Sequence, residues 1–470
     1  MLRLGPSFGG FEKQLLGALA AANAQVALST LRVSTGKKIN SPSDNPSQFV
    51  QLDSLQREKS AVQAAVERVD GAANIGSQLQ TSLDTAIKQL SDIRKLLLDD
   101  ADQSLTTASR IENQQKIDAA LQQISLLARK SIEGKRILDG GSNYLVIGQN
   151  AAQVKNVQVY SLGASTSLSG SVTAAATKGS LSYSGADGKV TAAASFTLSG
   201  KLGSAAVAIA ANDTLSSVAT KINNASYGTG VIATADGDEL TFSTVDYGTK
   251  ATIAINVTSG TFVTTGGIGN GTAQGTNAVA TLDGLAPASI EGNRLTYTRN
   301  GTHVEIDLAA GYTGAISPLS FSDSLTLKFA LGTGTEQTKL GLRGIQLEIL
   351  GGNSGTLDQL ASGGSLSGLS TNTAQAIRVV DEASAQLTVL AGKVNGFTDI
   401  TISSSAEFLN AWDENLTTSI SKLNGVDDDV ENKNITKYQT LASNALASLS
   451  ILQQQQASMA YLVQRLAGFG

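Results

Sequence analysis

The feature that most constrains this chain of 470 residues is a seven-residue repeat close to its C-terminal end. Ile435, Tyr438, Ala442, Ala445, Leu449, Leu452, Gln456, Met459, Val463 and Leu466 follow one another at alternating steps of three and four. Such steps hold side chains on one narrow stripe of a helix, the seam of a coiled coil, and Gln456 alone breaks it. No Gly or Pro interrupts the stretch before Gly468. A helix this long with so narrow an apolar face needs a partner. The other end of the chain offers one, because Leu15, Leu19, Ala22, Val26, Ser29 and Val33 repeat much the same step. The expected fold is therefore α+β and multidomain. N- and C-terminal helices pair as coiled coils, and a β-rich domain or domains are inserted in the middle.

Composition narrows the function classes. Hydrophobic residues make up 41% of the chain but aromatics only 4%, so an aliphatic, alanine-rich core is expected. The net charge of −5 comes without any basic block able to neutralise phosphates, so nucleic acid is not an expected partner. Cysteine is absent, which removes disulfides, thiolate chemistry and cysteine-ligated metals. That absence, with only 5 prolines, is compatible with export as an unfolded chain. Met1–Gly10 is expected to be disordered. It carries Arg3 and glycines where a signal peptide needs an apolar run, and no apolar stretch of membrane-spanning length is found. The expectation is a chain that does not insert in a membrane, and is either cytoplasmic or exported without a cleaved classical signal.

Taken in order, Phe11–Ser34 reads as a helix ended by Gly36. The prolines of Ser41-Pro42-Ser43-Asp44-Asn45-Pro46 make a hinge. A long helix follows from about Gln48 to Asp99. Its stripe is Val62, Val66, Val69, Ala73, Leu79, Leu83, Ile87 (or Ala86), Leu90, Ile93 and Leu97, with bends expected at Gly71 and Gly76. A third helix spans about Thr107–Lys130. From about Gly163 to Gly364 the chain turns to Gly, Ser, Thr, Ala and Val, and alternation replaces helical spacing. Asp236-Gly237 and Asn300-Gly301 are hairpin turns. The first pairs Ala233 with Leu240 and Val231 with Phe242; the second pairs Tyr297 with Val304 and Leu295 with Ile306. One helix, Thr214–Asn223, is capped by Asn212 or Asp213. Further strands are expected at Val207–Ala210, Thr252–Val257, Leu325–Ala330 and Ile345–Leu350. Helix returns at Thr371–Lys393, breaks at Asn395-Gly396, and resumes over Glu407–Leu423. The run Asp427-Asp428-Asp429 suits the dipole at the start of the last helix, and capping is preferred to metal binding.

Catalytic parts are hard to assemble from this sequence. The single histidine, His303, pairs with Thr298 in the second hairpin and reads as an exposed strand residue. With no cysteine to accompany it, neither a triad nor a zinc site has its parts. Gly267-Ile268-Gly269-Asn270-Gly271 mimics a nucleotide loop, but no helix pattern follows it. Trp412 reads as helix packing. No catalytic, cofactor or metal residue is assigned and no cofactor is expected. Three function classes stay open at this point: a self-assembling structural subunit, an enzyme on the β-rich middle, and a β-rich adhesin on a coiled-coil stalk.

Several stretches taken together resemble the bacterial flagellin family, which includes the hook–filament junction protein. Asn23-Ala24-Gln25 followed by Ser34-Thr35-Gly36-Lys37-Lys38-Ile39-Asn40-Ser41 is similar to its N-terminal signature. Asp70-Gly71-Ala72-Ala73-Asn74-Ile75-Gly76 resembles its first bend. Ser131 to Gly140 resembles the loop after its third helix, and Asp428 with Leu449–Leu466 matches its terminal spacing. Phe196–Ser259 resembles the small strand–helix–strand module of hook-associated proteins. Ser41-Pro42-Ser43-Asp44 leans towards the junction protein. The resemblance covers roughly Ala22–Tyr144 and Thr371–Leu466.

The resemblance implies a structural subunit, not an enzyme, that self-assembles into the extracellular flagellar filament for swimming motility, with the junction protein as alternative. It implies a homopolymer, with an export apparatus, an export chaperone and a cap protein as partners. Residues 1–45 would form an N-terminal inner helix and 46–162 the N-terminal part of an outer helical tube. Residues 163–364 would be exposed β-rich domains, including a hook-associated-type module at about 196–259. Residues 365–424 would complete the outer tube and 425–470 the C-terminal inner helix. The expected polymerisation seam is Leu15, Leu19, Val26, Val33, Ile435, Tyr438, Leu449, Leu452, Met459, Val463 and Leu466. Leu90–Asp99 is similar to the stretch that a vertebrate toll-like receptor reads. Arg94 matches, but Lys95 and Asp99 replace a glutamate and a glutamine, which argues against strong recognition.

Overall fold

A computed structural model describes residues 7–101, 105–163, 166–323, 326–367 and 372–467. The chain divides into two compact units. One unit comprises residues 1–68, 332–334 and 405–470, and the other residues 69–331 and 335–404.

The first unit is helical. Helix α1 runs over Ser7–Thr35, so it begins inside the segment expected to be disordered; Met1–Pro6 lie outside the described residues. By length and hydropathy, Gly9–Thr35 could cross a membrane, contrary to the sequence expectation. Leucine and alanine on every side of the helix raise its mean hydropathy, and the same composition suits packing against another helix. Helix α2, Pro46–Asp100, is unbroken over 55 residues, and its part up to Arg68 belongs to this unit.

The second unit holds the remainder of α2, helix α3 (Thr107–Arg129) and two nested β modules. Along α2 the buried row is Val62, Ala65, Val69, Ala72, Leu79, Leu83, Ala86, Leu90, Ile93 and Leu97. Ala65 and Ala72 stand in the row where Val66 and Ala73 were expected, and of the alternatives Ile87 and Ala86 it is Ala86 that keeps the strict three-four step. Gly76 does not bend the helix: a Cβ there would lie 2.5 Å from Thr398 Oγ1, so the glycine permits close approach. Asp100 at the end of α2 is buried and takes Arg110 of α3 at 3.0 Å and the Thr373 hydroxyl at 3.2 Å.

Strands start ahead of the compositional change at Gly163: Ser131–Ile132 pairs with Lys135–Arg136 in a two-residue hairpin, and the larger sheets begin with Leu145–Ile147. The outer module has two four-stranded antiparallel sheets. In one, Val279–Leu282, Ser167–Ala174, Gly314–Ser322 and Leu145–Ile147 are neighbours; in the other, Ser289–Glu291, Arg294–Arg299, Thr302–Leu308 and Val154–Ser161. Between Ala174 and Val279 the chain leaves to build an inner module, entering and returning where Thr177 pairs with Thr276. The inner module joins a three-stranded sheet and a four-stranded one around helix α4, Leu215–Asn224, followed by a short helical turn α5, Ser226–Thr229. Each module buries its own apolar cluster. The inner cluster is not purely aliphatic. Four aromatics pack in it, with Phe262 stacked on Tyr183 at 4.2 Å and on Phe196 at 4.8 Å, and Phe242 edge-on.

Turn chemistry decides the local outcomes. Asn300 and Gly301 both take positive φ, and the hairpin pairs Tyr297 with Val304 as expected. In the other hairpin the turn is Gly237-Asp238, which moves the register by two: Phe242 faces Ala233 and Leu240 faces Ala235. A shift of two preserves the alternation, so the apolar face stays inward. Helix α4 is capped by the Thr214 hydroxyl, not by its neighbours, since the Asp213 carboxylate takes Lys221 at 2.8 Å and the Ala210 N–H at 3.0 Å. Ile345–Leu350 is not a strand. Ile345 and Leu350 are buried in an irregular strap, with the Ile345 N–H donating to Leu138 O. The expected strand at Leu325–Ala330 is the shorter Leu327–Phe329, and Leu325 lies outside the described residues.

Helix α6, Thr373–Gly396, starts after Thr371, which lies outside the described residues. It does not break at Gly396, which keeps helical angles. A π-helical turn over Phe397–Ile402 carries it into α7, Ser403–Asn424. Side chains of α6 hold the strap: Gln386 exchanges hydrogen bonds with Gly351, and Glu382 accepts from Ser354. Arg378, also buried, donates to Ser354 Oγ at 3.2 Å and to Ser226 Oγ of α5. Lys393 donates to Gly341 O and lies 5.0 Å from the centre of the Tyr160 ring.

Candidate functional site

The terminal helices carry the strongest pattern in the sequence, and the structure brings them together within the helical unit. Helix α8, Asp428–Ala467, is antiparallel to α1. In α1 the least exposed positions include Leu15, Leu19, Ala22, Val26, Ser29 and Val33; in α8 they include Ile435, Tyr438, Ala442, Ala445, Leu449, Leu452, Gln456 and Met459. These are the two heptad rows, so the seam is occupied inside one chain. Val463 is not covered in this way and is exposed. Leu466 lies in the helix, but its side chain is outside the described residues.

A polar lock fixes the register at the hinge end, and none of it was singled out by the apolar pattern. Glu431 is buried and receives Arg32 Nη1 at 3.2 Å. Its carboxyl is held below its ordinary range, chiefly by the hydroxyl of buried Ser29 and further by Asn434 and Arg32. Next to this, the backbone turns back through Lys37 to Asn40. The Lys38 N–H donates to Asn424 O at 2.8 Å and the Ile39 N–H to Asn424 Oδ1 at 2.6 Å. Asn424 is buried, and its side chain works there as a second backbone carbonyl. Asp44 closes the hinge by accepting the Asn40 and Ser41 N–H groups, each at 2.8 Å, which keep its carboxyl below the usual range. Asp427 Oδ1 accepts the Val430 N–H, so this member of the acidic run caps α8. Signals for the lock were present as a buried-row serine, Ser29, and an Asn-Gly pair, Asn424-Gly425, but only the antiparallel register makes them partners.

Outside the seam, apolar side chains remain on both helices. Leu16 and Leu31 of α1 are exposed, as are Val430, Leu441, Leu446 and Ile451 of α8. Near the end of α8, Tyr461, Leu462 and Val463 are 65%, 55% and 49% exposed. A run of three such side chains on a helix is an uncovered surface.

Three family models match the chain. The bacterial flagellin N-terminal helical region matches residues 12–143, the flagellin C-terminal helical region residues 377–462, and the flagellin hook IN motif residues 195–246. Between them they span more than half of the sequence. This chain belongs to the bacterial flagellin family. It is a structural subunit of the flagellum, an extracellular component of a self-assembling polymer. The hook IN motif coincides with the core of the inner β module.

No curated protein matches the chain. Among solved structures, the D2-D3 domains of the flagellar cap protein FliD from Escherichia coli are 20% identical, over 38% of this chain and 98% of theirs, with a TM-score of 0.29. The flagellar junction protein FlgL from Legionella pneumophila is 9% identical over 83% of this chain and 100% of its own, with a TM-score of 0.26. FlgL from Xanthomonas campestris is 10% identical over 78% and 99%, also with a TM-score of 0.26. Superpositions this loose decide nothing further about this flagellin-family chain.

His303 was expected to be an exposed strand residue. It pairs with Thr298 but is half-buried. Its Nε2 is buried without a hydrogen-bond partner, and its ring lies 4.9 Å from that of Tyr160. The Tyr160 hydroxyl is pushed up to about 12 by burial and by Glu305, to which it donates at 3.1 Å. Trp412 packs on α7 as expected, and its indole N–H donates to Glu58 at 3.2 Å.

Proposed function

We propose that this chain is the subunit of the flagellar filament and polymerises through its helical ends. The observation that carries this reading is the run Tyr461–Val463, left uncovered where the intrachain seam has ended. In the proposed mechanism the α1–α8 pair is the assembly element. Leu15, Leu19, Val26, Val33, Ile435, Tyr438, Leu449, Leu452 and Met459 hold it together, and Val463 with Leu466 reaches a neighbouring copy. Contact between two different patches, repeated head to tail, does not close and gives an open helical polymer. Residues 1–45 and 425–470 would form the inner helices, and 46–162 with 365–424 the outer helical part. Residues 163–364 would be exposed β domains. The chain has no enzymatic role in this reading. The reading requires export without a cleaved classical signal, with an export apparatus, an export chaperone and a cap protein as partners. Arg94 is tied to Asp381 at 2.7 Å, and with Lys95 and Asp99 beside it the proposal includes weak recognition by toll-like receptors.

A second reading, the hook–filament junction protein, is favoured by the hinge Ser41-Pro42-Ser43-Asp44. Electron microscopy of the purified chain separates the two. Filaments that keep elongating when seeds are supplied support the first reading. Assemblies that stop at a short ring at every concentration support the second and reject the first.

A further inference from the structure

The inner β module is joined to the rest of its unit at a narrow neck, where the chain enters and returns through the Thr177–Thr276 pairing. Beside the neck, Lys250 pairs with Glu291 of the outer module at 3.1 Å. Neither module's apolar cluster includes a residue of α6. The inner module nevertheless meets α6 through α5, and a buried guanidinium makes that contact.

Arg378 of α6 stands in the middle of a chain of hydrogen bonds whose direction is fixed from end to end. Its Nη1 donates to Ser226 Oγ, and that hydroxyl donates in turn to Asn223 O. Its Nε donates to Ser354 Oγ at 3.2 Å, and that hydroxyl donates to Glu382 Oε1 at 2.9 Å. A guanidinium only donates and a carbonyl or carboxylate only accepts, so each serine accepts from Arg378 and donates its own hydrogen onward. The Asn223 amide exchanges hydrogen bonds with the Ala233 backbone at 2.8 and 2.9 Å, which carries the chain into the inner module's sheet. Ser226 is fully buried, and Arg378 and Ser354 nearly so. Around them, Asp246 accepts from Asn353 at 3.2 Å and pairs with Lys201 at 2.7 Å. Burial raises the Glu382 carboxyl and lowers Arg378, opposed by the attraction between the two.

We propose that this chain of hydrogen bonds is a latch: the inner module turns about its neck, and Arg378 holds it in one orientation against α6. The inference does not depend on polymerisation. A buried ion pair adds little net stability, because desolvating both charges offsets their attraction, yet its hydrogen-bond geometry admits one arrangement. Such a contact sets an orientation and still releases. The apolar cluster of the inner module is closed on itself, so the released module stays folded.

The chain has no cysteine, so spin labels at Thr220→Cys on α4 and Thr388→Cys on α6, both exposed positions, measure the separation of module and helix in the full-length protein. With Arg378 in place the distance distribution should be narrow. Arg378→Met keeps the aliphatic stem and removes every donor. The distribution should then broaden, and hydrogen exchange over residues 225–230 and 350–356 should speed up on the order of tenfold. The strands over residues 194–209 and 252–257 should keep their wild-type protection. An unchanged narrow distribution in Arg378→Met overturns the proposal, as does a broad one with Arg378 in place. Loss of protection over the strands together with the latch also overturns it, because Arg378 would then support the module's fold and not its orientation. Should Arg378→Met fail to fold, Ser226→Ala, which removes one link of the chain, is read by the same outcomes.

Discussion

The helical unit and the β modules finish their packing differently. In the inner module, Phe262 brings Tyr183, Phe196 and Phe242 into one closed cluster, and the chain enters and leaves through a single Thr177–Thr276 pairing. Its stabilising contacts lie within itself. The helical unit closes a seam between α1 and α8, buries Leu52, Val62, Leu409 and Leu416 of α2 and α7, and still leaves aromatic and aliphatic side chains outside. A helix pair has too little interior to bury a second apolar face, so such a face is covered by another molecule or exposed to water. Under the proposed function, the difference separates a part that is complete alone from a part that assembly completes.

The largest expected effect comes from opening the seam. Leu452→Asp places a carboxylate at a buried position, which costs on the order of several kcal/mol without a partner. We expect α1 and α8 to separate and assembly to be lost, with the thermal transition of the β modules unchanged; circular dichroism and sedimentation check both. Leu462→Asp sharpens the contrast. It lies outside the seam, so the monomer should melt as wild type does while seeded growth fails. Growth of Leu462→Asp at the wild-type rate would mean that the uncovered end of α8 has no role.

Removing the inner module tests the other side. Joining Thr177 to Thr276 by a short Gly/Ser linker deletes a segment whose ends are already hydrogen-bonded. The shortened chain should still extend seeds. A folded shortened chain that never elongates would place essential contacts in the β modules.

Smaller effects come from titration. The Glu431 carboxyl is depressed below its ordinary 4.5, so its contribution is fully present above that pH and is lost as pH falls through the depressed value. Acid should therefore loosen the α1–α8 pair, and Glu431→Gln should remove that part of the pH dependence in melts of the helical unit. In the β unit, burial lowers Lys393 from 10.5 to about 8. The folded state then disfavours the charged lysine, and stability should rise with pH from about 8 towards 10, a rise that Lys393→Met abolishes in pH-dependent melts.

How much of this was legible in sequence depended on whether the signal was local. The terminal heptads, the Asn300-Gly301 hairpin and the three-four row of α2 each follow from short-range spacing. The Gly237-Asp238 turn was misplaced by one residue, which moves the register by two, because adjacent Asp-Gly and Gly-Asp pairs both suit a tight turn. Gly76 read as a bend and Gly396 as a break, yet one permits close approach to Thr398 and the other continues through a π-turn. The nesting of one β module in another is invisible to alternation, which does not say which strands are neighbours. Nor could the seam residues be assigned to intrachain or interchain packing from their period. The same heptad serves either, and it was the Arg32–Glu431 and Lys38–Asn424 contacts that placed the partner inside the chain.

The central claim is that assembly covers the helical unit and spares the β modules. Hydrogen exchange, followed peptide by peptide in monomer and in polymer, tests it directly. Polymerisation should slow exchange over residues 428–465 and 405–417 and leave residues 180–274 as they are in the monomer. Added protection confined to residues 180–274, with the terminal helices unchanged, would contradict it.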